Sequence, residues 1–132
     1  MMAKLERYPQ QARMEAVSRD ALVQAALQEI NQNYREASLS NVARAYGVSL
    51  AYVSECVRAQ TGRTYKELLQ KHRMETAARL LRRSDLNIQQ IIAQVGYENT
   101  SYFYRLFHER YGLSPREYRM VRTGTAPRRP SA

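Results

Sequence analysis

The chain holds few groups able to make or break covalent bonds. There is one cysteine, Cys56, and there are two histidines, His72 and His108. The histidines lie far apart in sequence, and neither stands at metal-ligand spacing from Cys56. Cys56 falls on an apolar face with Val53 and Val57, the usual setting of a small core residue. No glycine-rich phosphate loop precedes a helix. Nothing here calls for catalysis, a metal or a cofactor. What the chain offers instead is cationic and hydroxyl groups interleaved with aromatic rings. The stretch GYENTSYFYRLFHERYGLSP, residues 96–115, holds four tyrosines, two phenylalanines, two arginines and a histidine. Its chemistry is non-covalent: hydrogen bonds, ion pairs and ring contacts with something large and charged.

The charge balance points the same way. The formal net charge is +9 and the pI is about 10.1. Residues 1–62 carry seven Lys/Arg against six Asp/Glu, and residues 63–132 carry fourteen against six, so +1 and +8 make up the total of +9. A basic half with interleaved tyrosines fits an anionic polymer, most often nucleic acid. A hydrophobic share of 44% in 132 residues supports one domain, or two very small ones that share a helix. No run of about 18 apolar residues suggests a membrane span, and the N-terminal stretch lacks the apolar segment of a secretory signal. The single cysteine fits a reducing cytoplasm.

These side chains need elements to position them, and the pattern is helical throughout. Four prolines and five glycines are few, and no segment alternates as a strand does. The fold class is all-α, with about seven helices. A lead-in occupies residues 1–17. The first helix spans 19–34, with Ser18 as cap and Leu22, Val23, Ala26, Leu27 and Ile30 as its stripe. The second spans 41–46, capped by Ser40 and ended by Gly47; the third spans 50–61, capped by Ser49 and stopped by Gly62. A long fourth helix covers 65–83, opened by a capping box between Thr64 and Glu67. SDLN at 84–87 breaks the pattern. The fifth helix covers 88–95 and the sixth 100–111. The seventh runs from 115 to about 122, opened by Ser114, Pro115 and Glu117. The small, polar tail 123–132 reads as disordered.

Two stretches repeat. LSNVARAYGVSLAYVSECVRAQTGRTYKE (39–67) aligns with IQQIIAQVGYENTSYFYRLFHERYGLSPRE (88–117), with one extra residue in the second turn. Leu39 meets Ile88, Val42 meets Ile91 and Gly47 meets Gly96; past the insertion Tyr52 meets Tyr102, Val57 meets Phe107 and Gly62 meets Gly112. Each copy is a short helix, a glycine turn, a longer helix, a glycine stop and a capping box. This is a helix-turn-helix built twice.

Residues 91–119, IIAQVGYENTSYFYRLFHERYGLSPREYR, resemble the signature of the AraC/XylS family of bacterial transcription regulators. The elements are the Ile/Ala-rich short helix, Gly-Tyr, the SYF-x-R-x-F run and the G-x-SP-x-x-YR ending. The first copy, GVSLAYVSECVRAQTG, is similar but weaker, and the resemblance covers about residues 18–122. It implies two helix-turn-helix subdomains, 18–63 and 84–122, joined by the central helix at 64–83. It also implies that the second helix of each enters a DNA major groove. A helix of this length measures about 30 Å, and successive major grooves on one DNA face lie about 34 Å apart. One chain is thus long enough for two grooves.

Helical phase sorts the faces. In the third helix Tyr52, Val53, Cys56 and Val57 form the core side, and Leu50, Ala51, Ser54, Glu55 and Arg58 the polar side. In the sixth, Tyr102, Phe103, Leu106 and Phe107 face inward, and Asn99, Thr100, Ser101, Tyr104, Arg105 and His108 outward. Matched to the family pattern, Ala51, Ser54 and Glu55 fall on base-reading positions of the first reader, and Thr100, Ser101, Tyr104 and Arg105 on those of the second. Arg105 can bond guanine O6 and N7 together, or pair with Glu109 four residues on. Tyr104 suits a sugar or thymine methyl, or a half-buried core position. Thr100 and Ser101 can bond phosphates or cap their helix. Glu55 departs from the family pattern, which often places a donor there; its carboxylate can accept from cytosine N4. The second reader is expected to dominate affinity. Ser49, Asn99 and His108, with Arg44, Arg58, Lys66, Lys71, Arg110, Arg116 and Arg119, are the phosphate-contact candidates. The expected partner is double-stranded DNA, with RNA polymerase as a further one. Many family members add an N-terminal effector and dimerisation domain, so the chain reads either as a stand-alone regulator or as the DNA-binding piece of a larger one. It would act in the cytoplasm, on the bacterial nucleoid.

Overall fold

The computed structural model describes residues 17–123. It is all-helical, with no strand among the described residues. The helices are α1 (Arg19–Asn33), α2 (Leu39–Tyr46), α3 (Leu50–Thr61), α4 (Tyr65–Arg83), α5 (Ile88–Gln94), α6 (Thr100–Tyr111) and α7 (Pro115–Thr123). Apart from residues 17 and 123, the lead-in expected at 1–17 and the tail at 123–132 lie outside the described residues. The chain divides into two compact units inside α4, after Gln70.

Six of the seven expected helix starts are seen, and the exception is α2. α2 begins two residues earlier than its polar pattern suggests. Its cap is Ser38, whose side chain accepts from the Ser40 amide, and not Ser40. Leu39 is 8% exposed, so the core draws the first helical residue inward and leaves Ser40 on the surface. α5 starts at Ile88 as expected, and its capping box joins Asn87, the last residue of SDLN, to Gln90. Asn87 Oδ1 accepts from Gln90 N at 2.8 Å, and Gln90 Oε1 accepts from Asn87 N at 2.8 Å. α5 ends at Gln94, one residue short of expectation, and α1 ends at Asn33. The boxes at Thr64/Glu67 and Ser114/Glu117 are formed, each with bonds of 3.0 and 3.1 Å.

In the first unit α1, α2 and α3 pack on one another. Leu22, Val23, Ala26 and Ile30 of α1 meet Leu39, Val42 and Ala43 of α2 and Val53, Cys56 and Val57 of α3. Leu27, expected in the stripe, lies at its half-buried margin. Gln60 Nε2 donates to Asp20 Oδ1 at 2.8 Å and ties the end of α3 to the start of α1. The second unit is built differently. Met74, Ala77, Ala78 and Leu81 of α4, Ile91 and Ile92 of α5, and Phe103, Leu106 and Phe107 of α6 are buried. Around Phe107 the rings of Phe103, Tyr111 and Tyr118 lie at centroid distances of 5.8, 4.6 and 5.5 Å. Such ring pairs contribute about 0.5–1.5 kcal/mol beyond the area they bury.

The stop that ends α3 and α6 needs a left-handed residue. Gly62 and Gly112 have φ of 76° and 72°, and each amide bonds back to the helix, to Arg58 O and His108 O. An added Cβ would meet nothing within 4 Å at either position. The demand for glycine is therefore conformational, not spatial.

Glu29 fixes the connection between α1 and α2. Its Oε2 accepts from the Ser38 amide at 3.2 Å, from Asn41 Nδ2 at 3.0 Å and from Asn33 Nδ2 at 3.3 Å. Burial works against the charge, but the bonds from Asn41, Ser38 and Asn33 outweigh it and hold the carboxyl below its ordinary 4.5. A carboxyl whose pKa falls on folding stabilises the fold above its unfolded value, and that contribution fades as pH drops through the folded value. Thermal unfolding should therefore show wild type above Glu29→Gln near pH 7, with the gap closing below about pH 4.5. A gap that stays constant down to pH ~3 would remove the carboxylate from this role.

Candidate nucleic-acid interface

α3 and α6 each bury one stripe and expose the other. In α3, Val53 and Val57 are fully buried and Cys56 nearly so, which fixes its rotation. Leu50, Ala51, Ser54, Glu55 and Arg58 are then exposed, as their phase requires. In α6, Phe103 and Phe107 are fully buried and Leu106 is 8% exposed. Ser101, Tyr104, Arg105 and His108 are exposed, while Thr100 is half-buried. Tyr52 and Tyr102, assigned to the core side, sit at its half-buried edge.

α3 and α6 each start on a capping side chain. Ser49 Oγ accepts from Tyr52 N at 3.0 Å, and Asn99 Oδ1 accepts from Tyr102 N at 2.9 Å. The capping role considered for Thr100 and Ser101 belongs to Asn99. The sequence hid this because Asn, Thr and Ser are consecutive and all are good caps.

Arg105 holds both of its anticipated relationships within reach. A terminal nitrogen lies 3.6 Å from Glu109 Oε2, with both side chains 61% exposed. The guanidinium carbon lies 5.0 Å from the centroid of the Tyr102 ring. An exposed ion pair of this kind contributes about 0–1 kcal/mol. It orients the fork without locking it away. Tyr104 is 37% exposed, and its ring stands edge-on to Phe103 at 6.2 Å. The tyrosine is thus part core and part surface.

The phosphate-contact candidates divide by their engagement. Arg58, Lys66, Lys71, His108 and Arg116 are exposed. Arg44 is exposed and donates to Asn41 Oδ1 at 2.7 Å. Arg110 pairs with Glu75 at 3.6 Å. Arg119 is engaged most deeply: Nε donates to Leu81 O at 3.1 Å and a terminal nitrogen to Ser84 O at 3.2 Å. It satisfies carbonyls at the end of α4, a role that sequence spacing does not reveal. Arg73 over the Tyr97 ring, 5.2 Å to its centroid, was likewise not foreseen. The only hint was an aromatic directly after Gly96. Burial pushes the Tyr97 and Tyr111 phenols upward, so both stay neutral near pH 7. Burial and the nearby Arg79 push His72 below 6.5, which leaves it uncharged at pH 7.

Among the described residues no three His, Cys, Asp or Glu side chains could hold a metal ion. No helix of the described residues is long and apolar enough to cross a membrane.

A family model described as a helix-turn-helix domain matches residues 42–120, a span that includes both α3 and α6. The transcriptional activator PerA of Escherichia coli O127:H6 is 29% identical over 114 residues, 82% of this chain and 39% of PerA. The transcriptional activator NphR of a Rhodococcus species is 37% identical over 92 residues, 68% of this chain and 27% of NphR. The chain therefore spans well under half the length of these relatives. Among solved structures, the C-terminal domain of AraT, a response regulator from Geobacillus stearothermophilus, matches with a TM-score of 0.71 and 34% identity. The match covers 80% of this chain and 88% of that domain.

The capping assignment has a direct check. Asn99→Ala should lower unfolding stability by about 1 kcal/mol, whereas Thr100→Ala should stay within about 0.5 kcal/mol of wild type. The reverse order in chemical denaturation would return the cap to Thr100.

Proposed function

The chain belongs to the AraC/XylS family of bacterial transcription regulators, and on that premise we propose that it binds double-stranded DNA sequence-specifically, with α3 and α6 entering adjacent major grooves. The observation that carries this reading is the pair of capped helices whose buried stripes leave hydrogen-bonding side chains on the opposite face. A net charge of +9 supplies the attraction to a phosphate backbone. The role is binding, not catalysis.

In α6, Arg105 reads a guanine through O6 and N7, leaving Glu109 for the base. Tyr104 lays its exposed edge on a sugar or a thymine methyl, and Thr100 and Ser101 bond phosphates. In α3, Ala51, Ser54 and Glu55 read the first half-site, with Glu55 accepting from cytosine N4. Arg44, Ser49, Arg58, Lys66, Lys71, Asn99, His108 and Arg116 line the backbone contacts. Arg119 would first have to leave the α4 carbonyls, so it acts mainly by holding the second unit together; Arg110, whose 3.6 Å pair with Glu75 is solvent-exposed, turns to the phosphate backbone. α6 is the stronger reader, because α3 offers no arginine one turn into its outward face. PerA and NphR are activators, and this chain is assigned the same direction of control, with RNA polymerase as a protein partner. The match covers only 39% and 27% of those two proteins, and the chain acts either as a stand-alone regulator or as the DNA-binding piece of a larger one. The site of action is the bacterial nucleoid.

Binding should be measured on duplexes selected from a random library, with the same sequence as single strand and as RNA. Duplex affinity should fall steeply with salt, with several counterions released. Arg105→Ala should lose about 10- to 100-fold and relax preference at one guanine. Arg105→Lys should keep the salt slope but not the preference, since a point charge lacks the fork. Salt-independent binding, or equal binding to RNA, would sink the proposal. A separate substitution addresses the first reader: Glu55→Gln should alter preference at one cytosine. An unchanged preference at every position removes the cytosine contact.

A further inference from the structure

Leu50 opens α3 and is 49% exposed. The exposed large hydrophobics among the described residues are Leu50 and Tyr104; Tyr104 stands on the outward side of α6, and Leu50 lies at the N-terminal edge of α3, one turn before the exposed Ser54 and three residues before the buried Val53. One exposed leucine would need no explanation. The internal repeat supplies an independent reason to attend to it. In the register that sets Tyr52 on Tyr102, Ser54 falls on Tyr104, Glu55 on Arg105, Ala51 on Ser101 and Leu50 on Thr100. Leu50 therefore occupies a reader position in its own unit. The cap bond from Tyr52 N to Ser49 Oγ, 3.0 Å, and the fully buried Val53 hold the start of α3 in place, and Leu50 stays 49% exposed at that edge.

The chemistry of this face selects the group it touches. Leu50 and Ala51 offer only hydrocarbon, and Ser54 and Glu55 follow one turn later. The thymine C5-methyl is the apolar group on the major-groove edge. We infer that Leu50, with Ala51 beside it, reads the C5-methyl of a thymine in the half-site of the first unit. This rests on the DNA-binding reading above and deepens it. The five residues from Leu50 to Glu55 advance about 7.5 Å along the helix, and successive bases in a strand are about 3.4 Å apart. The thymine and the cytosine read by Glu55 therefore lie within about two base steps of one another. The first reader is a pyrimidine reader, and the second reads a purine through Arg105.

The test removes the methyl and nothing else. Duplexes selected by this chain are remade with deoxyuridine at each thymine in turn, and affinity is measured for wild type, Leu50→Ala and Leu50→Met. At one thymine, wild type should lose about four-fold, the worth of one buried methyl-sized group. Leu50→Met should lose a similar factor there, and Leu50→Ala should bind thymine and uracil equally. Leu50 is exposed, so neither substitution removes a core contact. If no position responds to the methyl, or if Leu50→Ala responds at every position that wild type does, the inference is overturned while DNA binding stands. If the library yields no enriched sequence, sequence-specific binding fails and the inference falls with it.

Discussion

The phase of two buried stripes governs this molecule. A helix of 12 residues, the length of both α3 and α6, is marginal on its own in water. It persists because one face is buried. In α3 that face is Val53, Cys56 and Val57, and in α6 it is Phe103, Leu106 and Phe107. Both triplets have the spacing i, i+3, i+4. Successive residues differ by about 100° around a helix, so sliding the stripe by one position would turn Glu55 or Arg105 out of the presented face. The core thus decides which side chains are available, before any partner is considered.

The two units meet this requirement with different materials. The first uses aliphatic side chains from three helices, braced by Glu29 at the α1–α2 connection. The second uses a run of rings around Phe107, with Arg119 closing the end of α4. Glycine in a left-handed conformation terminates both readers. The frame repeats where geometry demands it, and the composition is free elsewhere. That freedom extends to the outward faces of α3 and α6, one hydrocarbon and carboxylate, the other hydroxyl and guanidinium.

Much of this was legible in the sequence. Helical periodicity is strong, and the Ser/Thr-x-x-Glu boxes and glycine stops mark ends with little ambiguity. The readings that shifted share a reason. Where several good caps stand together, as at Ser38 to Ser40 or Asn99 to Ser101, local propensity does not choose among them. Burial of the next apolar residue does, as Leu39 shows. Long-range roles were harder still. Arg119 lies 38 residues from Leu81, whose carbonyl it serves, and an arginine's partners over that span follow from the packing of helices and not from any spacing. The same holds for Arg73 on Tyr97.

Arg105 rests against an aromatic face while it waits. An arginine side chain carries about 2 kcal/mol of rotamer entropy, and a guanidinium already laid on the Tyr102 ring has surrendered part of it in the free protein. Less ordering is then left for the moment of encounter. Glu109 adds a weak tether that water can compete with. The arrangement works like a parked tool arm: its sweep is narrowed by the ring, and its release from Glu109 is easy.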